Sequence, residues 1–128
     1  MRPKILTVDD AKAVRLLAEQ TLGAFDCEVG EATNGFNALF AMEKSLPDLI
    51  LLDTNMPVMG GLDLLRMMKS NPALKALPII MLTSRTDHDI MPEITAHGVN
   101  GVLLKPFTAT ALLEKVGSVI ELKPVKAN

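Results

Sequence analysis

Five short apolar runs, separated by segments of helical period, constrain this chain more than any other feature of it. The runs lie at Ile5 to Val8, around Cys27 to Val29, at Leu49 to Leu52, at Ile79 to Leu82 and at Val102 to Leu104. Apolar runs of this length fit strands buried on both faces, as in a parallel sheet covered by helices. Between them, Val14, Leu17, Ala18, Thr21 and Phe25 recur at spacings of three and four and outline a first helix face. Phe36, Leu39, Phe40 and Glu43, with Met42, suggest a second helix, opened by the turn pair Asn34-Gly35. Leu62, Leu65 and Met68 mark a third, ending before Pro72. A fourth is expected from about Asp89 to His97, closed by Gly98. The fifth carries Leu112, Leu113, Val116 and Ile120, with Thr108 as N-cap. Five strand–helix units predict a doubly wound α/β domain with right-handed crossovers.

The 128 residues suffice for one such domain and a full core. We place it at residues 1–122 and take 123–128, which include Pro124, as a polar tail that frays or begins a linker. No apolar stretch approaches the roughly 20 residues of a spanning helix, and Met1-Arg2-Pro3-Lys4 has no signal-peptide character, so a cytoplasmic location is the default. The single cysteine, Cys27, excludes a disulfide framework and reads as a small buried residue. A formal charge of −2, with Lys and Arg scattered, gives no stripe for nucleic acid. Base stacking has little to use, because Trp and Tyr are absent and Phe occurs four times. Met67, Met68, Met81 and Met91 read as core filler, and His88 and His97 as surface residues.

The chemistry lies just past the strands. The first run leads into Asp9-Asp10, the third into Asp53, the fourth into Thr83-Ser84 and the fifth into Lys105-Pro106. Open α/β sheets bind ligands beyond the carboxyl ends of their strands, so three carboxylates, a hydroxyl and an ammonium converge there. Each alone is a common helix cap or turn; their joint placement is what points to a site. Like charges so close need a counter-ion. Mg2+ suits the set, since it takes one or two carboxylates and leaves room for phosphate oxygens. An aspartate can itself be a nucleophile and form an aspartyl-phosphate. Lys105 and Thr83 would then serve the phosphoryl oxygens, positioning and charge neutralisation being most of what phosphoryl transfer requires.

At these residues the chain resembles the response-regulator receiver domain of two-component signalling, the CheY-like family, over about residues 3 to 121. The match rests on Val8-Asp9-Asp10, Leu52-Asp53 with Asn55-Met56-Pro57, Gly61-Leu62, Leu82-Thr83 and Lys105-Pro106-Phe107. The resemblance implies a flavodoxin-like strand order of 2-1-3-4-5. It implies that Asp53 takes a phosphoryl group from a histidine kinase or a phosphotransfer protein. Asp10 and Asp53 would ligate Mg2+ through their side chains, Asn55 through its backbone carbonyl and Asp9 through water. Lys105 would pair with the phosphoryl group, Thr83 would swing towards it, and Pro106 would follow a cis peptide. The chain would be a phosphoacceptor protein rather than an enzyme, promoting only its own phosphorylation and dephosphorylation. It would signal to a downstream protein through the face of the fourth helix, fifth strand and fifth helix.

Three positions depart from the family's usual pattern, and Pro92 and Arg85 also bear on switching. Val102 stands where the family commonly has an aromatic residue, three before the lysine. Met59-Gly60-Gly61 replaces the frequent Met-Asp-Gly, and Ser84 the usual small apolar residue. Pro92 fits best if the fourth helix starts at about Asp89 to Met91. Arg85, two past Thr83, lies where the family tunes dephosphorylation, and a solvated charge is an equal reading. A degenerate receiver acting only as an interaction module, a phosphorelay shuttle, and a receiver excised from a longer regulator remain alternatives. A phosphatase is disfavoured by Asn55, where such enzymes usually carry a second acid. A flavodoxin is disfavoured by the loop Asp9-Asp10-Ala11-Lys12, which lacks the small hydroxyl residues that cradle a flavin phosphate.

Overall fold

The computed structural model describes residues 2–125 and contains five strands in one parallel sheet. In chain order the elements are β1 (Lys4–Val8), α1 (Lys12–Leu22), β2 (Glu28–Ala32), α2 (Gly35–Lys44), β3 (Leu49–Asp53) and α3 (Gly61–Ser70). β4 (Ile79–Thr83) follows, then a 3-10 segment (Arg85–Ile90), α4 (Met91–Ala96), β5 (Gly101–Leu104) and α5 (Ala109–Gly117). The strand order is β2-β1-β3-β4-β5, as the resemblance implied. No helix among the described residues is long and apolar enough to cross a membrane.

Each strand splits its side chains between two layers, because successive residues point to opposite faces. Leu6, Val8, Ile50, Leu52, Ile79 and Met81 face α2, α3 and α4, where they meet Met42, Leu64, Leu65, Met68 and Ile94. Ile5, Leu49, Leu51, Ile80, Leu82 and Leu103 face α1 and α5, where they meet Ala18, Leu22, Leu112 and Val116. All five residues of β3 and of β4 are buried. At about 1.5–3 kcal/mol per fully buried aliphatic side chain, these central strands anchor the fold.

Several expectations need correction. The buried face of α2 is Gly35, Ala38 and Met42, whereas Phe36 and Phe40 are 48% and 64% exposed. At the inward-facing position 35 a Cβ would lie 2.5 Å from Met59 Cγ, so glycine fits where a larger residue would displace Met59. On α3 the stripe runs Gly61, Leu64, Leu65, Met68, so Met67 falls off it and is exposed. α1 ends at Leu22, short of Phe25, and β2 starts one residue after the buried Cys27. His97 is half-buried beside the Glu93 carboxylate, 3.2 Å away, while His88 is exposed.

α4 begins at Met91 with Pro92 in its first turn, where a missing N–H costs nothing. It ends before Gly98, whose φ of +74° suits glycine. Thr108 caps α5 by accepting from the Ala111 N–H at 3.1 Å. Lys123 to Val125, in the expected tail, lie beside Ala24 to Asp26, with Asp26 N–H donating to Lys123 O at 2.7 Å and Val125 N–H to Ala24 O at 3.1 Å. The rest of the expected tail, 126–128, lies outside the described residues.

Candidate functional site

Strand register brings the polar residues together. Val8 pairs with Leu52, so Asp9 and Asp53 leave the sheet level with each other. Asp53 pairs with Leu82, and Thr83 with Leu104, so Thr83 and then Lys105 lie one and two steps further out. The long lysine stem reaches back over that offset. Lys105 Nζ donates to Asp9 Oδ2 at 2.6 Å and to Asp53 Oδ1 at 2.9 Å. Its backbone N–H donates to Thr83 O at 2.6 Å, and the Lys105–Pro106 peptide is cis.

Asp9 also turns the chain into α1, accepting from the Ala11 N–H at 2.9 Å, while Arg15 holds the Asp9 carbonyl at 2.9 Å. The capping role and the site role thus coexist in one carboxylate. Asp10 is exposed, yet carboxylate oxygens of Asp9, Asp10 and Asp53 lie within 4.8 Å of one another. Behind them, Gly61 lets α3 start against the end of β3. A Cβ there would sit 1.9 Å from the Asp53 carbonyl oxygen, so the requirement is one of space.

Burial pushes the Asp53 carboxyl up to about 6, with Asp9 repulsion adding to it and the Lys105 hydrogen bond opposing it. Lys105 moves up as well: burial alone would lower it, but its bonds to Asp9 and Asp53 outweigh that. One lysine shared by two buried carboxylates therefore leaves negative charge uncompensated. This donor set, hard carboxylate oxygens with a charge deficit and an open side towards Asp10, fits a divalent cation such as Mg2+. Asp53 Oδ1 is the oxygen bonded to Lys105, and Oδ2 is engaged by no hydrogen bond among the described residues.

Asp9, Asp10, Asp53, Thr83 and Lys105 are thus gathered at one sheet edge, with Asn55 on the loop after β3. Arg85 and His88 are exposed along the 3-10 segment. Asp87 escaped the sequence reading although it is 4% exposed and adjoins the site. Its carboxylate accepts from Thr54 Oγ1 at 2.6 Å, Asn55 Nδ2 at 2.7 Å, the Ser84 N–H at 2.7 Å and Ser84 Oγ at 3.2 Å. Those bonds hold it below the usual carboxylate range despite its burial. The signal was present, because Ser84-x-x-Asp87 is a capping-box pattern.

Comparison with known proteins agrees with this geometry. The family model described as the response regulator receiver domain matches residues 5–117. The chain is 38% identical to the chemotaxis protein CheY of Pseudomonas aeruginosa over 119 residues, 92% of this chain and 96% of that one. It is 37% identical to CheY-3 of Vibrio cholerae, covering 92% of each. The solved structure of CheY4 from Vibrio cholerae superposes with a TM-score of 0.85 at 35% identity, over 94% of this chain and all of that one (100%). With the family model spanning most of its length and CheY relatives matching nearly end to end, the chain belongs to the response regulator receiver domain family of two-component signalling.

Proposed function

We propose that Asp53 accepts a phosphoryl group from a phosphohistidine, in a site that Asp9, Asp10, Thr83 and Lys105 complete. CheY-like receivers interact with histidine kinases or phosphotransfer proteins, and receiver domains bind Mg2+ at an acidic cluster. The observation that carries the reading is Lys105 Nζ bridging Asp9 and Asp53 at the strand ends. It holds one Asp53 oxygen and leaves the other for bond formation. That oxygen attacks phosphorus, the new O–P bond forms as the P–N bond to imidazole breaks, and the imidazole leaves with the electron pair and takes a proton. Lys105 then meets the added negative charge, and the Thr83 hydroxyl, one register step away, donates to a phosphoryl oxygen.

Asp10 and Asp53 would hold Mg2+ through carboxylates, Asn55 through its backbone carbonyl and Asp9 through water. Bound there, the ion would neutralise charge on the transferring group. The chain in this reading is a cytoplasmic phosphoacceptor, not an enzyme acting on other substrates. Its partner surface is the α4–β5–α5 face, where Leu104 is half exposed. Intact-mass measurement after acetyl phosphate and Mg2+ tests the assignment. Wild type gains one phosphoryl group; Asp53→Asn gains none, and Lys105→Ala gains less. A gain in both wild type and Asp53→Asn refutes Asp53 as the acceptor.

A further inference from the structure

Asp87 is a buried carboxylate whose four donors are all neutral. A buried carboxylate bonded in this way is costly to lose and rigid while intact. Its placement is specific. Thr54 and Asn55 immediately follow Asp53, and Ser84 immediately follows Thr83. One side chain from the 3-10 segment therefore clasps the segment leaving the candidate acceptor to the segment leaving the candidate switching threonine. Oδ1 takes the Asn55 amide, and Oδ2 takes the Thr54 hydroxyl and both Ser84 donors. Ser84 Oγ also lies 2.7 Å from Thr86 Oγ1, which extends the network outward along the 3-10 segment.

We infer that Asp87 is a positioning residue that transmits a change at Asp53 to Ser84–Ile90 through its bonds to Thr54 and Asn55. Movement of Thr54 and Asn55 when charge or a ligand arrives at Asp53 drags Asp87 through the bonds that join them, and with Asp87 the Ser84 N–H and the entry to α4. The family's usual reporter, an aromatic residue in β5, is absent here, and Val102 stands in its place, partly buried against the α2–α4 layer. The Asp87 clasp offers a route from site to surface that does not need that aromatic. This inference rests on Asp53 being the acceptor.

Amide-resolved NMR of the full chain tests it, with Mg2+ alone and then Mg2+ plus beryllium fluoride as the phosphoryl mimic. In wild type, resonances of 53–60 and of Ser84–Ile90 shift together. In Asp87→Ala the 53–60 response persists while the Ser84–Ile90 response falls to half or less of its wild-type size. Asp87→Asn, whose amide oxygen can still accept from one partner, falls between them, as does Thr54→Val, which keeps the carboxylate. These two variants carry the test if Asp87→Ala does not fold. A Ser84–Ile90 response of wild-type size or larger in the variants, with the 53–60 response retained, overturns the clasp and leaves the proposed function standing. A wild-type chain in which 53–60 does not respond overturns the acceptor assignment and this inference with it.

Discussion

Asp53→Asn should make the metal-free protein more stable at pH 8, although it removes an acceptor from Lys105. Asp53 is 4% exposed, so water screens it little. Its carboxyl is raised from 3.8 to about 6 by burial and by Asp9, against the pull of Lys105. A shift of roughly two units at about 1.4 kcal/mol per unit means that the ionised form costs the fold about 3 kcal/mol. Asparagine resembles the protonated form and escapes that cost, while Lys105 keeps its 2.6 Å bond to Asp9. Allowing for the lost Lys105 acceptor, we expect a gain of about 1–3 kcal/mol at pH 8.

The pH dependence distinguishes this origin from a packing effect. Between about pH 4 and 6 the native carboxyl keeps a proton that the unfolded chain has released. Wild-type stability therefore falls as pH rises through that window and levels off above it. Asp53→Asn lacks this component, so the difference between the proteins is small near pH 4 and opens by pH 7. The assay is urea unfolding followed by far-UV circular dichroism in EDTA, since the chain has no Trp or Tyr to report by fluorescence. Mg2+ should then stabilise wild type more than the variant. A variant less stable than wild type at pH 8, or an advantage equal at pH 4.5 and pH 8, would refute the reasoning.

Three further substitutions probe the frame around the site. Gly61→Ala places a Cβ 1.9 Å from the Asp53 carbonyl oxygen and must displace backbone; it should cost about 2 kcal/mol or more in urea unfolding and weaken Mg2+ binding. Val58, 81% exposed with φ +70°, is a β-branched residue in the left-handed region; Val58→Asn should raise stability by about 1 kcal/mol, read as a higher thermal midpoint. Thr7 is fully buried, and its Oγ1 has no hydrogen-bond partner among the described residues; Thr7→Val keeps the shape and should gain about 1 kcal/mol by the same assay.

The sheet and the convergence of Asp9, Asp53, Thr83 and Lys105 were legible because both follow from short apolar runs and what comes after them. Residue type misled where geometry chose the face. Phe36 and Phe40 suggested the buried side of α2, but the side that packs inward carries Gly35, Ala38 and Met42, with Met59 closing the space at Gly35. Met67 failed for a related reason, lying one position off a stripe that is correct at Leu65 and Met68. The Asp87 network was illegible in its reach, because no periodicity links residue 87 to residues 54 and 55, 33 and 32 positions earlier. The pairing of Lys123 to Val125 with Ala24 to Asp26 was hidden likewise, being made by backbone groups that any polar residues would supply.

The full burial of β3 has a consequence for where this molecule can breathe. β3 lies between β1 and β4 and is covered on both faces, so its amide protons reach solvent only when the whole domain opens. β5, a four-residue edge strand with Leu104 half exposed, can release its amides through partial openings of far lower free energy. The candidate acceptor is thus mounted on a slow-exchanging strand, while Lys105, which bonds it, follows an edge strand that opens at lower cost. A chemical event at Asp53 then reaches, through Lys105, a strand that yields more readily than its own.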